Sequence, residues 1–486
     1  MPPVLSSARS ALLLALLLLS AGRASGDVLI VHMADLHSAV DRYPALVATV
    51  ETLIEAHPEH APLILLNGDL FEPHDPIAVR SDGELDWQVL ERLRTLAPVV
   101  MNVGNHDYDF DDPPEMHARA AELKVTMIGN VGFAGSAAAL PPCADVTFSS
   151  VTLRIVGITT DQRSTWPERL RETLLLRAPR DWIATLWPTI AESDACVSDG
   201  GPGSAPQGPS ANGSDDGAAA PLALLLASHA GLAADRTIWP ILRMGPRPLA
   251  VFGAHDHLEL NAYVDGMRYQ HAGMGAKRIG YAVIDIDPEI RVATGLLAVA
   301  RSERIDSAYA AEVATAHERW LTESEREILG SLTKALPLPQ AARWAARHLA
   351  DEQDADAALL NHTSFGRGLP EGPVSRYAFD RFLRFDNALM KADVDGETLR
   401  RILQRTRPPG FDPDGDREHG EPLHGFWPDS IDPTRSYRVL TSDWVARPDH
   451  QQRYLGTTLD FAPVGGDSIK TRLRRALSEP GHHDTR

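Results

Sequence analysis

Short apolar runs alternate with stretches of helical periodicity through the first half of the chain. The apolar runs span about four to eight residues between polar turns, which predicts buried β-strands. They are Val28–Met33, Leu63–Leu66, Pro98–Val103, Val125–Ile128, Val151–Ile158, Leu222–Ala227, Leu249–Phe252 and Ile279–Ile286. Apolar residues recur at helical spacing in Tyr43–Ala56 and Glu84–Leu96, which lie between the first three runs. This alternation predicts an α/β layered domain.

Polar residues with metal-binding or acid–base chemistry follow five of these runs directly. The five clusters are Asp35-Leu36-His37, Gly68-Asp69, Gly104-Asn105-His106-Asp107, Ser228-His229 and Gly253-Ala254-His255-Asp256-His257. A packed core does not favour such groups, whereas α/β proteins place their sites at the carboxyl ends of strands. We therefore expect the five clusters to meet at one edge of the fold.

The clusters offer a mixed set of oxygen and nitrogen ligands. This set consists of Asp35, His37, Asp69, Asn105, His229, His255 and His257. It suits Zn²⁺, Mn²⁺ or Fe better than Ca²⁺. Seven ligands exceed one tetrahedral shell, but they complete two shells of four if one carboxylate bridges. Two ions roughly 3.5–4 Å apart are suited to hydrolytic displacement at phosphorus.

One histidine of the clusters, His106, is not needed for either shell. An imidazole can donate to a phosphate or act as an acid, and a carboxylate three residues on, here Asp109, can hold it in its working tautomer. We expect six further histidines to be ordinary surface or hydrogen-bonded residues: His32, His57, His60, His74, His117 and His271.

Residues 1–26 have the pattern of a secretory signal, with Arg9, the apolar run Ala11–Leu19 and small residues before Asp27. The run is shorter than the roughly 20 residues of a spanning helix, although an uncleaved anchor is the alternative. We assign residues 27–305 to the α/β domain, with a flexible low-complexity insert at 197–221. Residues 306–332 are expected to form a linker helix, and 333–486 a second domain rich in arginine clusters. The expected location is the periplasm or the exterior of the cell.

The formal charge of −19 argues against nucleic acid as a partner, because such a surface repels polyanions. It also argues against anionic lipid, and no stable membrane insertion is expected after signal cleavage. An anionic substrate would need a locally positive site, such as bound metal or an arginine cluster. Cys143 and Cys196 are the only cysteines. Export permits a disulfide between them, and two free thiols are the alternative.

The five clusters, in this order and spacing, resemble the motif blocks of calcineurin-like metallophosphoesterases. With the signal, the linking helix and the second domain, the whole chain resembles the secreted two-domain 5′-nucleotidase/UDP-sugar hydrolase family. The resemblance implies an N-terminal metallophosphoesterase α/β sandwich and a smaller C-terminal α+β domain that binds substrate. It implies one metal ion on Asp35, His37, Asp69 and His257, and another on Asp69, Asn105, His229 and His255, with Asp69 bridging. His106 would contact the scissile phosphate with Asp109 as its partner.

The C-terminal part resembles the family less closely. Asn361–Gly372 is similar to an Asn-x-Gly-Gly-Ile-Arg block, with Arg367 one place later than in the family. The resemblance implies that Arg367 holds the substrate phosphate, with Arg405 or Arg407 as the second candidate; a solvated basic helix face is the alternative. Phe426 and Trp427 lie near the family's first base-stacking position. The family's Gly-Gly-Asp-Gly-aromatic segment is missing, which predicts weak selection of the base.

The expected function is that of an exported dimetal phosphoesterase that hydrolyses phosphate monoesters by attack of a metal-activated hydroxide. Nucleoside 5′-monophosphates are the first substrate expectation, so the expected partner is a small phosphorylated molecule. Nucleotide sugars, cyclic nucleotides and a sulfur ester are alternatives for the same site. From other classes, the alternatives are a catalytically weak binding protein for phosphorylated ligands and a metal-storage or structural role. The presence of His106 with Asp109 argues against both.

Overall fold

The computed structural model describes residues 27–135, 140–191, 196, 221–264, 266–286, 289–300, 304–406 and 423–479. These residues form two compact units. The first unit comprises the chain up to Pro73 together with Asp82–Val313. The second comprises His74–Ser81 and the chain from Ala314 onward. The predicted signal 1–26, nearly all of the 197–221 insert and Arg407 lie outside the described residues.

The strands are numbered in chain order. They are β1 Val28–Met33, β2 Ala61–Asn67, β3 Val99–Asn102, β4 Val125–Ile128, β5 Val131–Phe133, β6 Cys143–Thr147, β7 Thr152–Thr159, β8 Leu174–Leu176, β9 Leu222–His229, β10 Ala250–Gly253, β11 Glu259–Val264, β12 Met267–Ala272, β13 Arg278–Asp285, β14 Arg291–Ala298, β15 Ile328–Leu332, β16 Ala357–Asn361, β17 Gly372–Ser375, β18 Leu389–Asp395, β19 Leu423–Phe426, β20 Ser436–Ser442 and β21 Ala462–Pro463.

The α-helices are numbered in the same way. They are α1 Tyr43–Ala56, α2 Pro76–Ser81, α3 Glu84–Leu96, α4 Pro113–Glu122, α5 Pro179–Leu186, α6 Leu232–Met244, α7 Ser307–Trp320, α8 Glu323–Arg326, α9 Leu338–Glu352, α10 Arg376–Phe382, α11 Gly396–Thr406, α12 Asp443–Ala446, α13 Pro448–Leu455 and α14 Ile469–Ser478.

The first unit contains two six-stranded mixed sheets. The order of the first sheet is β14-β13-β1-β2-β3-β4, with β1 to β4 mutually parallel. The order of the second sheet is β11-β12-β10-β9-β7-β6, with β12, β10, β9 and β7 parallel. An antiparallel strand forms the edge next to β12 and another the edge next to β7. Each sheet thus has a parallel centre whose carboxyl ends lie along one edge.

One core fills the space between these two sheets. Alternate residues of each strand face it, because side chains along a strand point to opposite faces in turn. Ile30 and Leu65 of the first sheet belong to the same buried cluster as Ile155, Leu225 and Phe252 of the second. The first unit is therefore an α/β sandwich. The alternation of runs predicted an α/β layered domain, and the resemblance to the metallophosphoesterases implied the sandwich.

The second unit is built on a five-stranded sheet of order β19-β16-β20-β18-β21. Strand β16 contributes to both faces of this sheet. Ala358 and Leu360 join the first of its two cores, with α9, α10 and α14, whereas Ala357 and Leu359 join the second core, with α11 and α13. The second unit is thus a layered α+β structure, as the resemblance implied.

The excursion His74–Ser81 is part of the second unit. The Asp75 carboxylate lies 3.1 Å from Nη1 of Arg381 and accepts a hydrogen bond from the Tyr377 hydroxyl at 3.2 Å. Arg80 forms two hydrogen bonds of 2.7 Å with the Glu325 carboxylate.

The predicted linker helix 306–332 is wrong in its second half. Helix α7 ends at Trp320, and Thr322 caps the new helix α8 in a reciprocal box with Glu325. Arg326 donates to the carbonyls of Glu318 and Leu321, so the orphan acceptors at the end of α7 are satisfied. Residues 328–332 then pair with β17 as a strand.

Two further findings concern the cysteines and the helices. Cys143 on β6 and Cys196 form a disulfide, which decides between the two alternatives left open by the sequence. Within the described residues, none of the helices is both long enough and apolar enough to cross a membrane.

Candidate metal centre

Five of the seven predicted ligands have a left-handed backbone. The φ angles are 50° at Asp35, 45° at His37, 53° at Asp69, 74° at His255 and 58° at His257. Non-glycine residues adopt this region rarely, and where they do, the surrounding structure must hold them there. Each of these residues lies in the turn just after β1, β2 or β10. The turns aim several side chains at one point, which an extended or helical continuation would not do.

Two glycines make room for the side chains at this point. A Cβ atom at Gly68, where φ is 77°, would lie 2.4 Å from Nδ1 of His229. A Cβ atom at Gly104 would lie 2.3 Å from Oδ1 of Asp69. The glycines at the ends of β2 and β3 are therefore required by the close approach of the neighbouring ligands.

The structure brings the predicted ligands together in two groups. Asp35, His37 and His257 form the first group, and Asp69, His229 and His255 the second, each with ligand atoms within 4.8 Å of one another. In the first group, Nε2 of His257 lies 3.0 Å from Nε2 of His37 and 3.6 Å from Oδ1 of Asp35. Two imidazole nitrogens and a carboxylate thus converge on one point.

Asp69 lies between the two groups. Its Oδ2 is 3.2 Å from Nε2 of His229 and 3.8 Å from Nε2 of His37. Its Oδ1 accepts a hydrogen bond from the backbone N–H of His106 at 2.8 Å. Asp69 is therefore the carboxylate placed to serve both groups.

Hydrogen bonds set the direction in which two ligand candidates present their lone pairs. His229 places Nδ1 2.8 Å from the carbonyl of Asn67, which leaves Nε2 facing Asp69. The Asn105 amide donates from Nδ2 to the carbonyl of Thr165 at 3.2 Å. Oδ1 of Asn105 is buried and accepts no hydrogen bond from any described residue. A buried acceptor of this kind is costly unless a donor or a cation meets it.

The electrostatics of the protein groups favour a cation in the same place. Burial opposes a charge on Asp69, yet the imidazoles of His229, His106 and His37 hold the pKa of Asp69 well below its usual range. Burial also opposes a charge on His229, but Asp69 and Asp35 raise the pKa of His229 to about 10. Protons thus collect on the imidazoles because the buried carboxylates attract positive charge. Divalent cations would replace those protons, and the oxygen and nitrogen donors fit Zn²⁺, Mn²⁺ or Fe.

His106 and Asp109 form a hydrogen-bonded pair beside the two groups. The distance from Nδ1 of His106 to Oδ2 of Asp109 is 2.6 Å. Burial alone would lower the pKa of His106, but the carboxylates of Asp69 and Asp109 raise it to about 9. The ring of His106 lies 5.5 Å from the ring of His37, centroid to centroid. The pair therefore supplies a positively charged N–H donor next to the ligands.

Asp107 has a different environment. Its carboxylate accepts hydrogen bonds from the backbone N–H groups of Gly104 at 2.7 Å, Leu70 at 2.8 Å and Asp69 at 3.1 Å. Asp107 is fully buried and joins the turns after β2 and β3. It holds the backbone that carries Asp69 and Asn105, and it does not contact the His106 ring.

The predicted substrate residues of the second unit are not all brought together. Phe426 packs against the first core of the five-stranded sheet and Trp427 against the second, so they cannot be two walls of one base-binding slot. Arg405 lies on α11, which covers the second core, and donates to the carbonyl of Gln452 at 3.1 Å. Arg367 follows Phe365, which belongs to the first core.

Sequence reasoning missed three buried residues that support the ligands. Oε2 of Glu72 lies 3.5 Å from Nδ1 of His37. Asp235 accepts hydrogen bonds from Ser228 and Tyr269 directly behind His229. Asn67, at the end of β2, supplies the carbonyl that orients His229. The only sequence signal for Asn67 and Glu72 is their place within five residues of Asp69.

A third group with metal-ligand chemistry lies at the opposite end of the first sheet. It consists of Asp27, His60 and Asp285. The Asp285 side chain is 43% exposed, and Oδ1 of Asp27 accepts a hydrogen bond from the backbone of Ile286. All three of its residues are only half-buried, whereas two of the three residues in each of the other groups are fully buried.

Comparison with known proteins connects this geometry to a family. The model of the calcineurin-like phosphoesterase family matches residues 28–259. That family uses a dimetal centre, which agrees with the two groups of candidate ligands. No curated protein matches the sequence significantly.

Solved structures share the fold over nearly the whole chain. The 5′-nucleotidase precursor from Thermus thermophilus is 16% identical, with a TM-score of 0.56 over 93% of this chain and 96% of that chain. The 5′-nucleotidase from Candida albicans is 10% identical, with a TM-score of 0.56 over 93% and 97%. The sulfate thiohydrolase SoxB from Thermus thermophilus is 12% identical, with a TM-score of 0.58 over 93% and 94%. The fold is thus common to enzymes with different activities. Residues 28–259 match the calcineurin-like phosphoesterase family, and this match together with the 5′-nucleotidase fold supports a phosphoric ester hydrolase.

Proposed function

We propose that the chain is an exported dimetal phosphoesterase that hydrolyses phosphate monoesters, with nucleoside 5′-monophosphates as the first substrate class. The observation that carries this proposal is the His106–Asp109 pair at 2.6 Å beside two groups of buried ligands. A storage or structural metal site has no need of a charged N–H donor outside the ligand set. A binding protein for phosphorylated ligands has no need of a second ion.

The roles of the residues follow from their placement. Asp35, His37 and His257 would hold one cation, and His229, His255 and Asn105 the other, while Asp69 would serve both. Two divalent cations held there would supply an activated water and neutralise charge on the phosphate oxygens. Burial opposes a charge on His106, but the Asp109 carboxylate 2.6 Å from Nδ1 raises the pKa of His106 and favours its protonated form. With Nδ1–H donated to Asp109, Nε2–H is available to a phosphate oxygen or to the departing alkoxide.

The substrate class rests on the second unit. The fold similarity to two 5′-nucleotidases extends over 93% of the chain, so it includes the part beyond the family match. We assign hydrolysis to residues 27–305 and substrate selection to residues 333–486. Arg367 is the first candidate for the substrate phosphate and Arg405 or Arg407 the second, with Phe426 or Trp427 for the base. Arg407 lies outside the described residues.

The export part of the proposal rests on residues 1–26 and on the cysteines. The charged end, apolar run and small residues of 1–26 have the pattern of a cleaved signal. The Cys143–Cys196 disulfide suits an oxidising compartment, because reducing compartments keep such thiols free.

A sulfur ester is the second candidate substrate. SoxB, a sulfate thiohydrolase, has the same fold over 93% of this chain. Sulfate, like phosphate, is a tetrahedral oxyanion, so the same ligand groups suit a sulfur ester.

A substrate screen with metal restoration tests both candidates. The purified chain is stripped with a chelator, reloaded separately with Mn²⁺, Zn²⁺ and Co²⁺, and assayed on p-nitrophenyl phosphate, bis-p-nitrophenyl phosphate, nucleoside monophosphates, UDP-glucose and a thiol S-sulfonate. We expect monoester hydrolysis that is lost on chelation and restored by metal. The matched control is Asp69→Asn treated in the same way. Activity on the sulfur ester alone, or activity that survives chelation, would contradict the proposal.

A further inference from the structure

Two buried asparagines join the two sheets at the edge that carries the ligands. Asn67 is the last residue of β2 and is fully buried. Its Nδ2 donates to the carbonyl of Phe252 at 2.8 Å and to that of Ser228 at 3.1 Å. These carbonyls belong to β10 and β9 of the opposite sheet. One side-chain amide thus connects three strands across the core.

Asn102 completes the connection. It is the last residue of β3 and is also fully buried. Its Nδ2 donates to Oδ1 of Asn67 at 2.8 Å and to the carbonyl of Ile158, on β7, at 2.9 Å. Both N–H bonds of each amide are therefore used. We call Asn67 and Asn102 together the amide pair.

The amide pair stands where the apolar core stops. Leu63 and Leu65 precede Asn67 on the same face of β2, and Val100 precedes Asn102 on the same face of β3; all three belong to the core between the sheets. Apolar residues would fill this last layer at no hydrogen-bonding cost. Instead, Oδ1 of Asn102 is buried and accepts no hydrogen bond from any described residue. An unsatisfied acceptor of this kind costs about 1–3 kcal/mol, so stability alone does not account for the pair.

Four of the strands tied by the amide pair deliver ligand candidates. Asn67 lies two residues before Asp69, and Asn102 three residues before Asn105. Ser228 immediately precedes His229, and Phe252 lies three residues before His255. The main-chain carbonyl of Asn67 also accepts from Nδ1 of His229. The hydrogen bonds of the pair therefore fix how far apart the two sheets hold their ligands.

We propose that the amide pair is a positioning device that sets the separation of the two ligand groups and so the binding of a second divalent cation. The proposal rests on the dimetal function proposed above. Neither asparagine touches substrate; both act through the strand ends they hold. Residues that orient metal ligands typically change metal affinity or activity by about 10–100-fold when replaced.

The test is a titration of the full chain with Mn²⁺. Calorimetry measures the affinity and number of bound ions, and electron paramagnetic resonance reports coupling between two neighbouring Mn²⁺ ions. The variants are Asn67→Leu, which is similar in size but has no amide, and Asn102→Leu, which removes the hydrogen bonds to Oδ1 of Asn67 and to the carbonyl of Ile158. The matched control is Leu63→Ala, which weakens the same core without touching the amide pair. We expect two Mn²⁺ and a coupled signal in the wild type and in Leu63→Ala. In Asn67→Leu the second Mn²⁺ should bind about 10–100-fold more weakly and the coupling should be lost.

The outcomes separate this inference from the proposed function. If both asparagine variants bind two Mn²⁺ as tightly as Leu63→Ala does, the amide pair contributes only to stability and the inference is overturned. If Asn67→Leu does not fold, as judged by circular dichroism, Asn102→Leu decides in the same direction with a smaller expected loss. A wild-type chain that binds fewer than two Mn²⁺ would overturn the proposed function as well as the inference.

Discussion

At the scale of single residues, His106 is distinguished from the other site histidines by its partner. Its Nδ1 is hydrogen-bonded to Asp109, which lies outside the predicted ligand set, and its backbone N–H donates to Asp69. We predict that His106→Asn lowers kcat about 10²–10⁴-fold on a phosphate monoester, because an acid or electrostatic contribution of this kind is lost. Metal content, measured by plasma emission spectrometry, should remain at the wild-type value.

The control for this prediction is Asp109→Asn, which keeps the shape of the partner but removes its charge. It should lower kcat in the same direction with the metal content again unchanged. Loss of metal from His106→Asn would show that His106 is a ligand and that its assignment here is wrong.

Asp69 and His37 are expected to differ in their effect on the two ions. Asp69 lies within 4 Å of imidazole nitrogens from both groups, whereas His37 belongs to the first group alone. We predict that Asp69→Asn abolishes stoichiometric binding of both ions and that His37→Ala leaves one equivalent bound. His60→Ala, in the half-buried third group, should leave two equivalents and so excludes that group from the count. A fully active wild-type chain with a single equivalent of metal would contradict the two-ion assignment.

The chemistry of single residues could be predicted from the sequence. The backbone conformation and the hydrogen bonds that hold those residues in place could not. The ligand candidates can be recognised in the sequence because Asp, His and Asn directly follow apolar runs. The left-handed backbone at Asp35 or His257 leaves no such signal, since φ depends on the hydrogen bonds that close each turn. Asn67 reads as an ordinary strand residue because its partners on β9 and β10 lie far away along the chain.

At the scale of elements, continuous apolar runs predict strands to within two residues. Strand β1 matches its prediction, Val28–Met33, because every residue of β1 is buried. The runs did not mark six described strands of the first unit, which are β5, β6, β8, β11, β12 and β14. In β11, from Glu259 to Val264, most residues are exposed or half-buried, so the apolar run that marks a buried strand is absent. The predicted linker helix is too long because Thr322, an N-cap, begins a new helix.

Glu325 of the capping box at α8 also forms an ion pair with Arg80. Hydrogen bonds from Arg80 and from the Thr322 backbone lower the pKa of Glu325 to about 2. A carboxyl with a depressed pKa contributes stability above its unfolded pKa of about 4.5, and that contribution is lost as the pH falls toward 2. We predict that Glu325→Gln is less stable than the wild type at pH 7 and that the difference shrinks steadily between pH 4.5 and pH 2. Urea unfolding midpoints across this range measure the effect.

The design of this comparison isolates the charge. Glutamine can still complete a capping box, so the end of α8 is retained. Glu323→Gln, in the same helix, is the matched control for removing an acidic residue. A stability difference that is independent of pH would contradict the role assigned to the Arg80–Glu325 pair.

At the scale of the whole molecule, hydrolysis and selection of substrate are expected to vary independently. The phosphate candidate Arg367 belongs to the second unit, and the predicted base-stacking residues Phe426 and Trp427 lie on opposite faces of its sheet. We predict that Arg367→Ala raises KM for a nucleoside monophosphate more than it lowers kcat, because mostly ground-state binding is lost. Steady-state kinetics on all four ribonucleoside monophosphates should show weak discrimination among the bases.

A control variant and a test of base preference check this prediction. Arg405→Ala should change KM less, since the guanidinium of Arg405 already donates to the carbonyl of Gln452. A preference for one base above roughly 100-fold, about 2.7 kcal/mol, would contradict the absence of a clamp. Phe426, Trp427 and Trp444 would then be replaced singly by Ala to find it.

The architecture of the whole molecule could be predicted further than the details of its second unit. The alternation of apolar runs predicted an α/β layered domain because parallel centres of sheets are buried on both faces, and the resemblance implied that its layers form a sandwich. In the second unit the predicted substrate residues rest on resemblance to motif blocks that match imperfectly. The adjacent residues Phe426 and Trp427 pack against different cores of the five-stranded sheet, and a motif alignment does not register that difference.

The left-handed turns of the ligand residues make the stability of the folded chain depend on bound metal. A left-handed backbone costs a residue with a side chain roughly 1–2 kcal/mol, so five such ligands oppose folding unless something offsets them. Ions bound only by the folded chain provide that offset. We expect the metal-stripped chain to be nicked by proteases at the turns after β1, β2 and β10 and the reloaded chain to resist, as limited proteolysis with mass spectrometry would show. The supply of metal around the chain would then set how long it survives proteolysis.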